Sequence, residues 1–277
     1  MRRIAELILY AVVILFFIAR YAEVGDDGPS RPRPQLPAPE DKAVFVPDDA
    51  PLPRDIERSV NVELDERAQN SVGTAFAVDR QGTYVTARHV VDGCAVVYLV
   101  AGRGRLEQVL SSISEGTRDF AILRTTNLRA TPFSLTEVSP RRGSDGYMMG
   151  YPQGRPGDVR ATVIGRTEMR STGRYRMREP VVAWVERERR PTFGGSLSGI
   201  SGGPVFDGNG YVVGTVVAGA PRRGRVYTTH PQIFRATGLM ARAPADRALK
   251  ITRADFKAAG DQLRASRSIA QVYCKAR

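Results

Sequence analysis

The chain has 277 residues, of which 42% are hydrophobic, so it is long enough to bury the core of one large domain or two small ones. Its formal net charge is +12, but no nucleic-acid-binding motif accompanies this charge, and we expect no nucleic-acid partner. The two histidines and two cysteines exclude a histidine-rich metal site and a framework of several disulfides. We therefore expect neither a metal ion nor another cofactor.

The first predicted element is a membrane-spanning helix. Arg2 and Arg3 precede an apolar run, and residues 4–24 together are long enough to cross a bilayer as a helix. No good cleavage site follows the run, which favours a signal anchor over residues 1–24 rather than a cleaved signal peptide. Because arginines precede the run, we expect the N-terminus in the cytoplasm and the remaining chain on the exported (periplasmic or extracellular) side.

Residues 25–57 form the next segment, which contains a large share of the 18 prolines in the chain. Proline-rich sequence without periodic apolar residues favours an extended, semi-rigid polyproline conformation. This composition predicts a linker that holds the following domain away from the membrane.

Short β-like runs separated by turn residues occupy residues 58–237, among them TAFAV, TYVTA, FAILR and YVVGTVVAG. Such spacing is typical of an all-β sandwich or barrel. Residues 238–277 change in character, and we predict a helical tail docked on the β domain. The apolar residues assigned to one face of this helix are Phe256, Ala259, Leu263, Ala270 and Tyr273.

The sequence GISGGP, from Gly199 to Pro204, contains the candidate nucleophile Ser201. It fits both the nucleophile elbow of α/β-hydrolases and the G-x-S-G-G-P pattern of chymotrypsin-like proteases. An elbow needs an acid and then a histidine after the serine, but the only downstream histidine is His230 and the only intervening carboxylate is the nearby Asp207. The following residues also read as strand, turn and strand rather than helix, so the elbow interpretation fails.

His89 and Asp119 precede Ser201 and complete the order His, Asp, Ser. In such a triad the imidazole takes the serine proton, the carboxylate selects the tautomer, and the serine attacks a carbonyl carbon. Asp92 is the nearest rival acid, but it lies too close to His89 in sequence. The surrounding glycines allow a sharp turn in which the N–H groups of Gly199 and Ser201 form an oxyanion hole.

The segments that carry these residues resemble those of a known family. In chain order, SVGTAFAV, YVTARHVV, RDFAILR, GYPQG and GISGGPVFDGNGYVVGTV are similar to signatures of the trypsin-like, chymotrypsin-fold serine proteases, closest to the bacterial DegP/HtrA type. The resemblance covers residues 58–237 and implies two six-stranded antiparallel β-barrels. His89 and Asp119 would lie in the first barrel and Ser201 in the second. The residues after Thr237 are too few for the PDZ domain that HtrA-type enzymes usually carry.

The fold implied by the resemblance also suggests the walls of the pocket for the substrate residue before the cut. The predicted pocket residues are Gly195, Val216, Val217 and Ala218. No acidic residue lies between Arg189 and Ser201, so the pocket has no partner for a substrate lysine or arginine. Apolar walls favour small aliphatic side chains instead.

The predicted function is that of a membrane-anchored serine endopeptidase that acts on protein or peptide substrates. The alternatives are a catalytically silent protease-fold scaffold or binding module at the membrane, and a basic docking protein for anionic surfaces. Cys94 and Cys274 are most simply read as reduced thiols, with a mutual disulfide as the alternative. The sequence leaves the oligomeric state open.

Overall fold

The computed structural model of the protein describes residues 45–54, 56–101, 105–241 and 249–277. These residues are mostly β, with a few short helices, as the β-branched and alternating runs predict. The elements are β1 (Ser59–Leu64), β2 (Ser71–Ala77), β3 (Thr83–Thr86), α1 (Arg88–Val91), β4 (Cys94–Ala101), β5 (Arg105–Gln108), β6 (Ser111–Ser114), β7 (Ala121–Arg124), β8 (Asp145–Gly150), β9 (Gly157–Gly173), β10 (Met177–Arg190), β11 (Pro204–Phe206), β12 (Val212–Ala220), β13 (Arg225–Thr229), α2 (Gln232–Ala236), α3 (Phe256–Ala265) and β14 (Ile269–Ala276).

The first sheet contains seven strands in the order β5-β4-β14-β2-β3-β7-β6. Although β14 is the last element, it lies between β2 and β4 and pairs antiparallel with both. Its buried residues Ala270, Val272 and Cys274 alternate with more exposed ones. This period of two is that of a strand with one face on a core.

The predicted helical tail over residues 238–277 is therefore wrong beyond Ala265. Helix α3 ends at that residue, and Arg267 adopts a left-handed φ of 64° that redirects the chain into β14. The spacing of Ala270 and Tyr273 predicts a helical face, but a segment that mixes apolar and polar residues often shows such a spacing by chance. They lie on opposite faces of a strand instead, since alternate side chains of a strand point to opposite sides.

The second sheet closes on itself. Strands β8, β9, β10, β13, β12 and β11 follow one another around it, and β8 pairs with both β9 and β11. Strand β1 adds to β9 as a seventh strand, and this pair is parallel. The predicted two six-stranded antiparallel barrels are thus corrected in two respects: β14 makes the first sheet seven-stranded, and β1 adds a parallel ladder to the second.

Helix α3 packs against the second sheet through a buried ion pair. The guanidinium of Arg264 donates to both carboxylate oxygens of Asp158, in β9, at 2.6 and 2.9 Å. Gly260 permits this close approach, because a Cβ at that position would lie 2.5 Å from the carboxylate oxygens. The pair positions the helix immediately before the chain enters β14.

Cys94 and Cys274 form a disulfide that joins β4 to β14, with their Cα atoms 5.6 Å apart. The simplest sequence interpretation, two reduced thiols, is therefore wrong. The two residues are 180 positions apart and meet only because β14 inserts beside β4. No local pattern in the sequence reveals that insertion.

The predicted membrane anchor, residues 1–24, lies outside the described residues, and so does most of the predicted linker, residues 25–57. Within the described ranges, no helix has the length and apolarity needed to cross a bilayer. The described end of the linker packs on the second sheet: the carboxylate of Asp48 lies 2.6 Å from the guanidinium of Arg160. This described part of the predicted linker therefore contacts the β domain.

Candidate active site

His89 and Asp119 lie side by side at the first sheet, His89 in the helix that follows β3 and Asp119 just before β7. Nδ1 of His89, in α1, is 2.6 Å from Oδ2 of Asp119, and the backbone N–H of His89 donates to Oδ1 at 2.8 Å. Asp119 is almost completely buried just before β7, whereas 22% of the His89 side chain is exposed. One carboxylate therefore orients both the ring and the main chain of His89. Nε2 is the ring nitrogen that has no protein partner among the described residues.

The pKa of His89 is raised above its ordinary value. Burial of the ring disfavours the imidazolium, but the charge of Asp119 and its hydrogen bond to the ring outweigh burial. The nearby guanidinium of Arg174 acts in the opposite direction. The net result is an imidazole that accepts a proton readily.

The turn between β9 and β10 reaches from the second sheet onto this pair. Arg174 donates to the carbonyl oxygen of His89 at 3.2 Å. The Tyr175 hydroxyl donates to Oδ1 of Asp119 at 3.4 Å, and the Arg88 guanidinium lies 3.9 Å from the centre of the Tyr175 ring. The second sheet therefore covers the side of the His89–Asp119 pair that α1 leaves open.

A second carboxyl group lies directly behind Asp119. Oε1 of Glu179, in β10, accepts the backbone N–H of Asp119 at 2.9 Å, and only 2% of Glu179 is exposed. Burial, together with the charge of Asp119, raises the pKa of Glu179 to about 8, although the N–H donated by Asp119 acts in the opposite direction. The protonated form of Glu179 is thus favoured in the folded protein at neutral pH.

Replacing Glu179 by glutamine is expected to make the folded protein more stable at pH 8. A carboxyl group whose pKa is raised on folding binds more protons in the folded state, so the wild-type free energy of unfolding falls between about pH 4.5 and 8. The fall is on the order of a few kcal/mol, at about 1.4 kcal/mol per pKa unit. Urea unfolding at several pH values measures it. Glu63→Gln, at an exposed position of β1, is the matched control; equal pH slopes for wild type and Glu179→Gln would contradict the prediction.

Ser201 lies in a tight turn before β11 that the first sheet holds in place. Gly202 has a φ of 86°, and a Cβ there would lie 2.1 Å from the carbonyl oxygen of Thr74, so only glycine fits. Thr74, in β2, donates its N–H to the carbonyl oxygen of Ser201 at 2.8 Å and its Oγ1 hydroxyl to that of Gly199 at 2.7 Å. One residue of the first sheet thus orients two peptide groups of the Ser201 turn.

The backbone N–H groups of this turn fall into two sets. Those of Ile200, Gly202 and Gly203 donate to backbone carbonyl oxygens. The N–H groups of Gly199 and Ser201, the two predicted for the oxyanion hole, have no acceptor among the described residues. These two donors remain available for a ligand oxygen.

Gln153, in the GYPQG segment, holds the chain just before the turn. Its N–H donates to the carbonyl oxygen of Ser198, and its side-chain Nε2 donates to those of Gly194 at 2.7 Å and Ser196 at 3.0 Å. The C=O and N–H of a trans peptide point in opposite directions. By binding the Ser198 carbonyl, Gln153 therefore turns the N–H of Gly199 away from itself and leaves it free.

The Ser201 turn and α1 both approach the same position of β2, Gly73. A Cβ on Gly73 would lie 3.2 Å from the carbonyl oxygen of Ser201 and 2.4 Å from the side chain of Val90. Among the described residues no hydrogen bond joins Oγ of Ser201 to the His89 ring. Such bonds are often long without substrate and shorten in the complex. The structure thus brings His89 and Asp119 into contact and places the Ser201 turn beside α1, the helix that contains His89.

A cavity of about 110 Å³ opens next to Ser201. Its lining consists of small and apolar residues: Ser196, Leu197, Ser198, Ile200, Ser201, Val216, Ala218, Gly219 and Pro221. Of the four predicted pocket residues, Val216 and Ala218 line it. Gly195 and Val217 do not; Gly195 accepts a hydrogen bond from Arg189, and Val217 faces the core shared with the first sheet.

Sequence reasoning missed four residues that support this site: Thr74, Gln153, Tyr175 and Glu179. Two of them had a local signal. Gln153 lies in GYPQG, one of the segments that resemble the family. Glu179 is a charged residue directly before the apolar run PVVAWV. Thr74 and Tyr175 act across the interface between the sheets, so their contacts depend on the fold rather than on neighbouring residues.

A family model of the trypsin-like peptidase domain matches residues 73–214, which include both the His89–Asp119 pair and the Ser201 turn. The chain belongs to the trypsin-like peptidases. A solved structure of the same fold is the active form of the Rv3671c protease from Mycobacterium tuberculosis, with a TM-score of 0.51, 18% identity, and coverage of 70% of this chain and 94% of that one. At this identity the likeness shows the fold of a trypsin-like peptidase and no more.

Two curated proteins are also similar to this trypsin-like peptidase. Serine protease Rv3671c of Mycobacterium tuberculosis is 32% identical over 53% of this chain, and the uncharacterized protein y4bJ of Sinorhizobium fredii is 27% identical over 62% of it. The chain spans only 36% and 26% of the lengths of these two relatives, respectively.

Proposed function

We propose that the protein is a serine endopeptidase that cuts peptide bonds with His89, Asp119 and Ser201. The observation that carries this proposal is the pair of free N–H groups, on Gly199 and Ser201, in a turn beside a histidine that is hydrogen-bonded to a buried carboxylate. An ordinary turn would satisfy those donors internally. Here the bonds made by Thr74 and Gln153 hold the neighbouring carbonyl oxygens away from them.

The proposed reaction is acyl transfer. Oγ of Ser201 forms a bond to the substrate carbonyl carbon while its proton passes to Nε2 of His89. The carbonyl electron pair moves onto oxygen and forms an oxyanion. The N–H groups of Gly199 and Ser201 donate to this oxyanion, and each donor lowers the activation free energy by about 3 kcal/mol. The C–N bond then breaks, and His89 returns its proton to the leaving amine. Water then attacks the carbonyl carbon of the acyl-enzyme and gives a proton to His89. The bond to Oγ breaks, His89 returns the proton to Ser201, and Asp119 stabilises the imidazolium in both stages.

The cavity beside Ser201 supports specificity for small aliphatic residues before the cut. At about 110 Å³ it is small, and its lining contains no acidic residue to pair with a lysine or arginine. Burial of apolar surface at about 25 cal/mol per Å² favours alanine, valine or leucine. A peptide-library profile is expected to show these residues before the cut and to select against lysine and arginine; a profile dominated by basic residues would overturn this specificity.

A catalytically silent protease-fold scaffold is the second candidate, favoured by the missing hydrogen bond between Ser201 and His89. A fluorophosphonate probe separates the two functions, because it reacts only with a serine that an adjacent base activates. Labelling of wild type but not of Ser201→Ala or His89→Ala supports the peptidase. An unlabelled wild-type protein that remains folded supports the scaffold.

We also propose that residues 1–24 anchor the peptidase in a membrane, with residues 58–277 on the exported side. The apolar sequence of the segment and the lack of a good cleavage site support the anchor. The disulfide supports the exported side, because disulfides persist in oxidising compartments. The protein should stay in the membrane fraction after a carbonate wash and keep its N-terminus; a soluble form that starts near residue 20 or later would overturn the anchor.

A further inference from the structure

A second, larger hollow adjoins the cavity beside Ser201. It has a volume of about 610 Å³ and lies between β1 and the turn that joins β12 to β13. We call it the arginine groove; its lining residues are Glu57, Ser59, Val60, Asn61, Ala220, Pro221, Arg222, Arg223 and Tyr227. Pro221 lines both hollows, so the two lie next to each other at this residue.

The arginine groove has more positive than negative charge. Arg222 is exposed and makes no ion pair with any described residue, whereas Arg223 lies 2.5 Å from Glu57, the one acidic residue of the lining. Arg225, opposite Ala220 across the β12–β13 ladder, has buried Nε and Nη1 atoms without a hydrogen-bond partner. Its charge also acts on Glu57. The lining of the groove therefore carries two guanidinium groups and one carboxylate, and the charge of Arg225 acts on that carboxylate from beside the groove.

The route of a substrate from the cavity to the groove follows strand β12. Residues Ala218–Ala220 pair with β13 on one side, while β11 pairs with β12 only as far as Thr215. The other edge of Ala218–Ala220 has no strand partner in the described part of the chain. A peptide that adds to this edge advances about 3.3 Å per residue. With the side chain of the residue before the cut in the cavity, we infer that the residue two or three positions earlier, which is three or four residues before the cut, reaches Arg222 and Arg223.

We propose that the arginine groove binds the side chain of an aspartate or glutamate three or four residues before the bond that is cut. This inference rests on the proposed peptidase function and deepens it, since it assigns a class of substrate: peptides with an acidic residue upstream of a small aliphatic one. In the free protein the carboxylate of Glu57 pairs with Arg223. The substrate carboxylate binds Arg222 and competes with Glu57 for Arg223.

The test uses peptides that differ in one residue. Each has valine before the cut, and glutamate or its neutral isostere glutamine stands two, three, four or five residues upstream of the cut. For the wild type at low salt, we expect glutamate three or four positions upstream to raise kcat/KM about three- to tenfold through KM, a range set by partly exposed ion pairs. In 1 M salt, where the screening length is about 3 Å, the ratio falls towards one.

Two variants of the groove are expected to act in opposite directions. The double variant Arg222→Gln/Arg223→Gln loses the preference for glutamate, whereas Glu57→Gln strengthens it because the internal competitor is removed. Arg129→Gln removes an exposed arginine that donates to the Arg80 carbonyl and lines neither hollow, and it should keep both the wild-type rate and the preference. An equal glutamate preference in the wild type and the double variant would overturn the proposal.

Binding to the Ser201→Ala protein separates failure of the groove from failure of the peptidase. The same peptides, labelled with a fluorophore, are titrated and followed by anisotropy. Tighter binding of the glutamate peptide without turnover by the wild type would support the groove and reject the peptidase. Turnover without any glutamate preference would reject the groove alone, and the absence of both binding and turnover would reject both.

Discussion

Replacing Ser201 by alanine is expected to lower peptide hydrolysis by about 10⁴- to 10⁶-fold, because it removes the atom that forms the acyl-enzyme. His89→Ala should cost about as much, since members of a triad act as a unit. Asp119→Asn should cost about 10⁴-fold, because an amide next to Nδ1 favours the wrong tautomer of His89. Stopped assays with a fluorogenic peptide measure kcat/KM for each variant.

The controls for this prediction use positions outside the proposed triad. Among the described contacts, the side chain of His230, the second histidine, hydrogen-bonds only to the nearby Gln232 N–H, so His230→Gln should retain wild-type turnover. All the variants should unfold at temperatures close to that of the wild type, which shows that the losses are chemical. Turnover by His89→Ala within tenfold of the wild-type value would reject the triad.

Removing the Cys94–Cys274 disulfide is expected to lower the free energy of unfolding by about 2–5 kcal/mol. The bond links residues 180 positions apart, so it restricts the unfolded chain strongly, and in the folded protein it joins two neighbouring strands of the first sheet, β4 and β14. Urea unfolding of the double variant Cys94→Ser/Cys274→Ser, compared with oxidised wild type, measures the loss.

A reducing agent provides the matched control for the disulfide. It should shift the wild-type unfolding midpoint towards that of the double variant and leave the double variant unchanged. Equal midpoints for oxidised wild type and the double variant would show that the disulfide does not stabilise the fold.

The sequence predicted those parts of the fold that depend on local pattern. Apolar runs such as VVAWVE were sufficient for the strands, and the order of His89, Asp119 and Ser201 together with the glycines was sufficient for the candidate site. The insertion of β14 was missed, because nothing within residues 269–276 indicates that they pair with strands about 180 positions earlier. Its alternation of buried and exposed residues was read as a helix.

The support of the site could not be predicted for a related reason. Thr74 is 125 positions from Gly199, and Glu179 is 60 positions from Asp119, and each acts on a backbone group rather than on a side chain. Several types of side chain can donate to or accept from a backbone atom, so such a contact specifies the type of its partner only loosely. No motif therefore records these contacts, whereas the triad requires particular side chains.

The central place of β14 also bears on when the enzyme becomes competent during its synthesis. Residues 269–276 are made after everything else in the two sheets, and until they emerge β2 and β4 have no strand between them. Long-range pairings of this kind form slowly because the chain must close a large loop first. The sheet that carries His89 and Asp119 is therefore completed last. A chain whose synthesis stops before β14 therefore leaves the sheet beside His89 and Asp119 incomplete.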